Sequence, residues 1–330
     1  MTACWSWSAR ADRSRSPSSC LSASGLVPCS RPACGYDMMR RDFLKALVGA
    51  GILACGHAPR RKDKTTAMSV DAFLASGPRT MWVAAHPDDE CFSGTLLARS
   101  RFYYGNALCM VVLTHGEGGE CCLEEGCKPD LATVRGQEMA KVAERYGAEL
   151  IHEHFFNAPL PVETFPRRHE IYARWVQQKD PVDTVAQAIR RFKPDLLLTF
   201  SPVVGATGHP EHQLASRVAT AAVRAAAEGA EPHRVARTYY VLNRYWPYVL
   251  AGKADPGPVT EQFDATLPCP GAGRCLDFML EATRLHRTQA RDMAAVRRFY
   301  GAFLTMNLRL TDPFREVYPP DEPAAHGGMG

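Results

Sequence analysis

Two short stretches of this chain concentrate side chains that could hold a cation and move a proton: Ala85-His86-Pro87-Asp88-Asp89-Glu90 and Gly208-His209-Pro210-Glu211-His212. His86 and Asp89 are three residues apart, as are His209 and His212, so one helical turn would aim either pair at a common point. Two histidines and one carboxylate, with positions left open, suit catalytic zinc and equally ferrous iron. Asp88 then stands beside the cation without being needed to bind it, which suits a general base drawing a proton from water. His209 could stay protonated, stabilising a developing oxyanion or protonating a departing amine. Plainer readings exist: Asp88, Asp89 and Glu90 would also favour a helix N-terminus through its dipole, and His212 alone would be an ordinary surface histidine. The pairing of the two segments in one chain is what favours chemistry.

Elements must carry these segments to one place. From residue 80, short apolar runs alternate with longer amphipathic ones, the pattern of a βα-type parallel sheet. The runs predict strands at about 80–85, 108–114, 150–155, 195–200 and 235–242, with helices at about 92–104, 131–146, 182–192 and 211–227. Beyond Trp246, prolines at 256, 258, 268 and 270 punctuate loops, and one long helix is expected over about 276–299. The fold class is therefore α/β, a Rossmann-like three-layer sandwich with a mostly parallel sheet, occupying about residues 70–318. In such sheets ligands bind past the carboxyl ends of strands, and both His-Pro segments fall there. Each proline can open the following helix, where its missing N–H costs nothing.

These motifs, with Leu113-Thr114-His115-Gly116-Glu117-Gly118-Gly119, Arg135-Gly136-Gln137-Glu138, Leu198-Thr199-Phe200-Ser201-Pro202 and Leu285-His286-Arg287-Thr288-Gln289, resemble the PIG-L/LmbE-like family of zinc-dependent de-N-acetylases. The resemblance runs from about residue 80 to 245. It implies His86, Asp89 and His212 as metal ligands, Asp88 as general base and His209 as the electrostatic or acid partner. Two positions depart from the family pattern: Glu211 stands where aspartate is usual, and Thr207 where some members carry tyrosine. Arg135, Glu138 and Glu211 are candidates for substrate contact or for support of the ligands, against a simple helical ion pair between Arg135 and Glu138. Gly116, Gly118 and Gly119 read as a flexible rim, since no phosphate-cradling glycine pattern follows. His286 and Gln289 have the spacing to share a helical face.

The 330 residues carry a formal charge of +4, but residues 1–67 hold 11 Lys and Arg against 4 Asp and Glu, leaving 28 basic and 31 acidic residues downstream. The slightly acidic body, without a basic face interleaved with aromatics, argues against nucleic acid as a partner. Arg40-Arg41-Asp42-Phe43-Leu44-Lys45 before the apolar run Ala46–Ala54 reads as a twin-arginine export signal, and that run is roughly half the length of about 20 residues needed to span a bilayer. It ends at Cys55, in a context resembling a lipobox. Two outcomes follow: a lipid anchor at Cys55, the one membrane contact expected, or simple cleavage and release into the periplasm or cell envelope. Residues 1–37 show no hydrophobic periodicity, and a start at Met38 or Met39 would put the signal where export signals sit.

In an oxidising compartment, Cys121, Cys122 and Cys127 form one cluster of disulfide candidates, and Cys269 with Cys275 another. Cys91 and Cys109 lie in apolar surroundings and are expected as buried thiols. Three functions remain open: hydrolysis of an acetamide on an amino sugar or glycoconjugate, hydrolysis of a non-sugar amide such as a thiol conjugate, and non-catalytic glycan binding. Retention of a base beside a full ligand set disfavours the last.

Overall fold

Strand β1 (Thr80–Ala84) is buried along its whole length and is an interior strand of a seven-stranded sheet. The structure, a computed structural model, describes residues 68–318 apart from 230, 251, 253 and 317. The export signal, Cys55 and the residues after 318 lie outside them. β1 pairs in parallel with β2 (Leu108–Val112) on one side and β4 (Leu196–Phe200) on the other. β3 (Glu149–His152) extends the sheet beyond β2, and β5 (Arg237–Leu242) beyond β4, both in parallel. Two strands complete it: β6 (Glu261–Asp264) and β7 (Thr305–Thr311), with β7 antiparallel to both β5 and β6. The order is β3-β2-β1-β4-β5-β7-β6. Chain direction through the sheet reverses between β1 and β4, so the crevice past their carboxyl ends is a topological switch point.

Alternation along the strands divides the core into two layers. Trp82 and Ala84 face Leu96 and Leu97 of α2 (Gly94–Ala98), Met139 and Val142 of α3 (Leu131–Tyr146), and Leu276 and Met279 further along the chain. Met81, Val83 and Ala85 face the other way, onto Trp175 of α4 (Arg168–Gln178), Ile189 of α5 (Pro181–Phe192), and Leu214 and Val218 of α6 (Pro210–Ala226). Local signals set the helix ends. Asp130 Oδ1 caps α3 by accepting from the Thr133 N–H at 2.8 Å, and Gly147 closes it at φ 60°. Asp180 and Pro181 open α5 in the same manner.

Three differences from the sequence reading have physical causes. The helix expected over 92–104 begins as a tight turn, Asp89–Phe92, and finishes as a π turn, Arg99–Tyr103. The long helix expected over 276–299 is broken: α8 (Cys275–Ala282) and α9 (Ala290–Arg298) are separated by two tight turns around His286, whose side chain is pulled inward. The antiparallel strands β6 and β7 carry no clear apolar run, because β6 sits among prolines 256–270 and only one face of each strand is buried in part. Short helices also follow Ser69, α1 (Val70–Leu74), and β5, α7 (Trp246–Leu250).

Candidate active site

β1 delivers the first His-Pro segment into the crevice, but not as a regular helix start. Asp88 adopts φ 92°, a left-handed conformation that costs a non-glycine residue about 1–3 kcal/mol unless its surroundings impose it. Arg135, fully buried on α3, does so. Its Nη2 donates to Asp88 Oδ2 at 3.0 Å and to the Pro87 carbonyl at 2.7 Å, while Nη1 donates to the Gly116 carbonyl at 2.8 Å. Pro87 therefore precedes the turn and does not open it. A Cβ on Gly116 would stand 2.4 Å from the Arg135 guanidinium carbon, and one on Gly118 2.2 Å from the Ala158 carbonyl oxygen. The glycine stretch expected as a flexible rim is a packed wall whose glycines permit close approach.

Asp89 turns its carboxylate back on its own chain. Oδ2 accepts from the backbone N–H of His86 at 2.8 Å and of Ala85 at 3.1 Å, while Oδ1 is buried, takes no backbone hydrogen bond and faces His212 Nε2 at 3.0 Å. The next carboxylate, Glu90, accepts from His286 Nε2 at 2.8 Å.

The second segment is built locally. Pro210 takes the first position of α6 and His209 caps it, its Nδ1 accepting the Glu211 N–H at 3.2 Å. In the neutral ring the remaining Nε2 then carries a donor hydrogen. His212, in the first turn, has Nδ1 2.8 Å from the Gly205 carbonyl and 3.1 Å from the Thr207 hydroxyl. Its proton therefore sits on Nδ1 and Nε2 is bare. That bare nitrogen lies 3.0 Å from His86 Nδ1 and 3.0 Å from Asp89 Oδ1. His86 points its other nitrogen, Nε2, at Glu211 Oε2, 2.5 Å away.

Glu211 is thus an organiser. Asn157 Nδ2 and the Ala158 N–H also donate to it, each at 2.6 Å. Burial pushes its carboxyl up to about 7, against the pull of the Ala158 and Asn157 hydrogen bonds. A carboxylate on the far nitrogen of a metal-ligating imidazole fixes its tautomer and raises its basicity.

Electrostatics distinguish the three imidazoles. Burial, then His209 and His212, holds His86 well below the usual imidazole value. Burial and His212 do the same to His209, a direction that favours the neutral imidazole over the protonated one expected from sequence. Burial opposes the charging of His212, but Asp89 outweighs it and the net direction is upward. Asp88 is pushed up to about 7 by burial, although Arg135 pulls it down.

This donor set fits a divalent cation. His86 Nδ1, His212 Nε2 and Asp89 Oδ1 converge, and without a cation Asp89 instead draws a proton onto His212. Two nitrogens held by tetrahedral zinc at about 2.0–2.1 Å would stand roughly 3.3–3.4 Å apart, close to the 3.0 Å seen between His86 and His212. His209 offers a third imidazole, all three ligand atoms lying within 4.8 Å of one another. The cleft above them is lined by Gly118, Gly119, Arg135, Asn157, Ala158 and Phe165, with His86 and His209. Phe165 lies against His209 with ring centroids 4.9 Å apart.

His86, Asp88, Asp89, His209, Glu211, His212 and Arg135 are brought together here, while Glu138 lies apart from the cleft. Arg135 and Glu138 do not pair with each other: Glu138 accepts from the Thr288 N–H at 3.0 Å and from its hydroxyl at 2.6 Å. His286 and Gln289 do not share a helical face; they lie at the break, where His286 meets Glu90 and Gln289 Nε2 donates to the Glu120 carbonyl at 2.8 Å. Ala158 and Phe165 belong to the loop 158–168, where the sequence places substrate choice without showing which residues reach the cleft, and Asn157 just before it carries no sequence signal. Among the cysteines, Cys121 and Cys127 form a disulfide and Cys122 stays a thiol. Cys269 and Cys275 are not bridged. Both are buried thiols, and Cys275 Sγ lies 3.6 Å from the Pro268 carbonyl. Cys91 and Cys109 are buried thiols as expected.

Known proteins resemble this chain in the same region. A family model described as PIG-L, GlcNAc-PI de-N-acetylase, matches residues 81–223. A 1D-myo-inositol 2-acetamido-2-deoxy-alpha-D-glucopyranoside deacetylase of Kineococcus radiotolerans is 30% identical over 259 residues, covering 64% of this chain and 68% of that protein. The deacetylase of the same description from Corynebacterium urealyticum is 29% identical, covering 51% of this chain and 55% of that protein, so the chain spans about half the length of that relative. Among solved structures, the N,N'-diacetylchitobiose deacetylase of Pyrococcus horikoshii superposes with a TM-score of 0.53 over 88% of this chain and 98% of its own, at 14% identity, a likeness of fold.

Proposed function

This chain belongs to the PIG-L family, and on that premise we propose that it hydrolyses an N-acetyl group on an amino sugar or glycoconjugate, releasing acetate and a free amine. The observation that carries the reading is the convergence of His86 Nδ1, Asp89 Oδ1 and His212 Nε2, with Asp88 held beside them by Arg135. In this proposal those three atoms hold zinc, or ferrous iron. The ion supplies Lewis acidity, polarising an amide carbonyl and acidifying water.

The chain's own residues do the rest. Asp88, buried and raised toward neutrality, accepts the proton of the attacking water on the carboxylate oxygen not taken by Arg135. His209, neutral and with its Nε2–H free to donate, hydrogen-bonds the oxygen on which negative charge grows. Glu211 keeps His86 in the tautomer that leaves Nδ1 bare. Asn157, Ala158 and Phe165 narrow the cleft and keep bulk water from it. The proposed setting, periplasm or cell envelope, rests on the twin-arginine signal alone.

The test uses the full-length protein stripped by a chelator, reloaded with zinc or ferrous iron, and offered a panel of N-acetylhexosamine glycosides. Acetate release that disappears on stripping and returns on reloading is expected. Cleavage of non-sugar amides without acetate release from any sugar would transfer the reading to a different amide substrate. The reported deacetylase relatives, which act on acetamido sugars by their descriptions, favour the sugar.

A further inference from the structure

The carboxyl end of the sheet bears more than the catalytic cleft. β5 ends at Leu242 and runs into α7, and β7 starts at Thr305 after a turn over Tyr300–Phe303, so α7 and this turn lie at the same end as His86 and His209. They touch each other: Tyr245 and Phe303 rings are 4.6 Å apart, and Phe92, three residues beyond Asp89, packs on both. Above this buried aromatic floor the surface is apolar. Leu250 is 78% exposed, Trp246 53%, and Val249 and Tyr300 49% each; Trp246 reaches the Phe299 ring just before Tyr300, and Leu304, also exposed, directly follows the Tyr300 turn. Such a cluster of exposed large apolar side chains marks an interaction surface.

We propose that this surface docks on a lipid bilayer, through Trp246, Val249, Leu250, Tyr300 and Leu304, and so brings the catalytic end of the sheet to the membrane. Three features favour lipid over a folded partner or a glycan. The patch mixes indole and phenol rings, which suit the headgroup boundary with one apolar and one polar end, with aliphatic side chains that suit the acyl region beneath it. A glycan platform would pair flat rings with polar hydrogen-bonding neighbours, and Val249, Leu250 and Leu304 offer none. Arg298, exposed in the last turn of α9 directly before the Tyr300 turn, is a charge complement to anionic headgroups. No described helix is long and apolar enough to cross a membrane, so this contact is peripheral and separate from any anchor at Cys55.

The test compares full-length wild type with the double variant Leu250→Asp/Tyr300→Asp in sedimentation with vesicles of phosphatidylcholine and phosphatidylglycerol in equal parts. Both proteins keep the same N-terminal apolar run, so the difference between them reads the patch. The expected result is a vesicle partition coefficient at least about tenfold lower for the variant, with unchanged melting temperature and unchanged turnover of a soluble substrate. Val176→Asp, at an exposed apolar position on α4, should bind like wild type. Equal partition of wild type and double variant overturns the proposal, as does a wild type that does not sediment. A wild-type dimer that the double variant converts to monomer, without vesicle binding, would assign the patch to a second copy of the chain instead.

Discussion

The two His-Pro segments contribute to one site but are held in opposite ways. The second is self-supporting: His209 caps the helix that carries it, and His212 is fixed by a carbonyl seven residues away, at Gly205. The first is held from a distance. Arg135, 47 residues on, fixes Asp88; Glu211, 125 residues on, fixes His86; and His286, 196 residues on, fixes Glu90. A helix supplies its own geometry once its cap is satisfied, whereas a strained turn persists only if its neighbours impose it. The chemistry of the first segment is therefore hostage to residues far along the chain, whereas in the second only Glu211 leans on distant groups, Asn157 and the Ala158 N–H.

Substitutions can break this asymmetry, beginning with the group that all the support serves. Asp88→Asn should lower kcat by about a hundredfold to ten-thousandfold, the range a positioned base contributes, while metal content by elemental analysis stays at the wild-type level. Undiminished turnover would remove Asp88 from the reaction. The wild-type pH profile bears on the same group. Burial raises Asp88 to about 7, so activity should fall as pH drops and protonates the base. A cation at Asp89 favours the carboxylate, so the acidic limb is expected at or below about 7. A limb well above that would not belong to Asp88.

Next comes the distant support. Arg135→Met leaves the buried Asp88 carboxylate and two carbonyls without a donor, and should cost about 3–5 kcal/mol of stability in denaturant unfolding. Glu211→Gln should weaken metal affinity by about 10–100-fold, the usual effect of disturbing the partner of a ligating histidine. Smaller still, His286→Gln keeps a donor near Glu90 but not its charge. It should cost about 1–3 kcal/mol in stability. The comparison fails if Thr207→Ala, which touches only the self-supporting segment, proves more damaging than these, as read by kcat and melting temperature together.

Much of this was legible before any coordinates. The five parallel strands, the helices over 131–146 and 182–192, and the gathering of His86, Asp88, Asp89, His209 and His212 follow from apolar periodicity and motif spacing. Both are local properties: a strand buried on two faces must be apolar throughout, and a βα unit must release its polar residues past the strand's end. Glu211 shows the limit. Its extra methylene marked it as a departure, yet its role became visible only when Asn157, Ala158 and His86 were seen to converge on its two oxygens.

The tertiary structure alone decided the rest, because the deciding interactions join residues with no sequence relation. The 276–299 stretch is periodic enough for one helix, and the pattern cannot show that bonds from Glu90 to His286 and from Glu138 to Thr288 stabilise a break more than continued helix would. The glycines at 116 and 118 could signal looseness or tight packing equally, until Arg135 and Ala158 fill the space a Cβ would need. Residue types and spacing determined which chemistry the two His-Pro segments can support. Which Asp89 oxygen faces His212, which nitrogen is bare and which imidazole is pushed toward neutrality depended on burial and on partners up to 196 residues away.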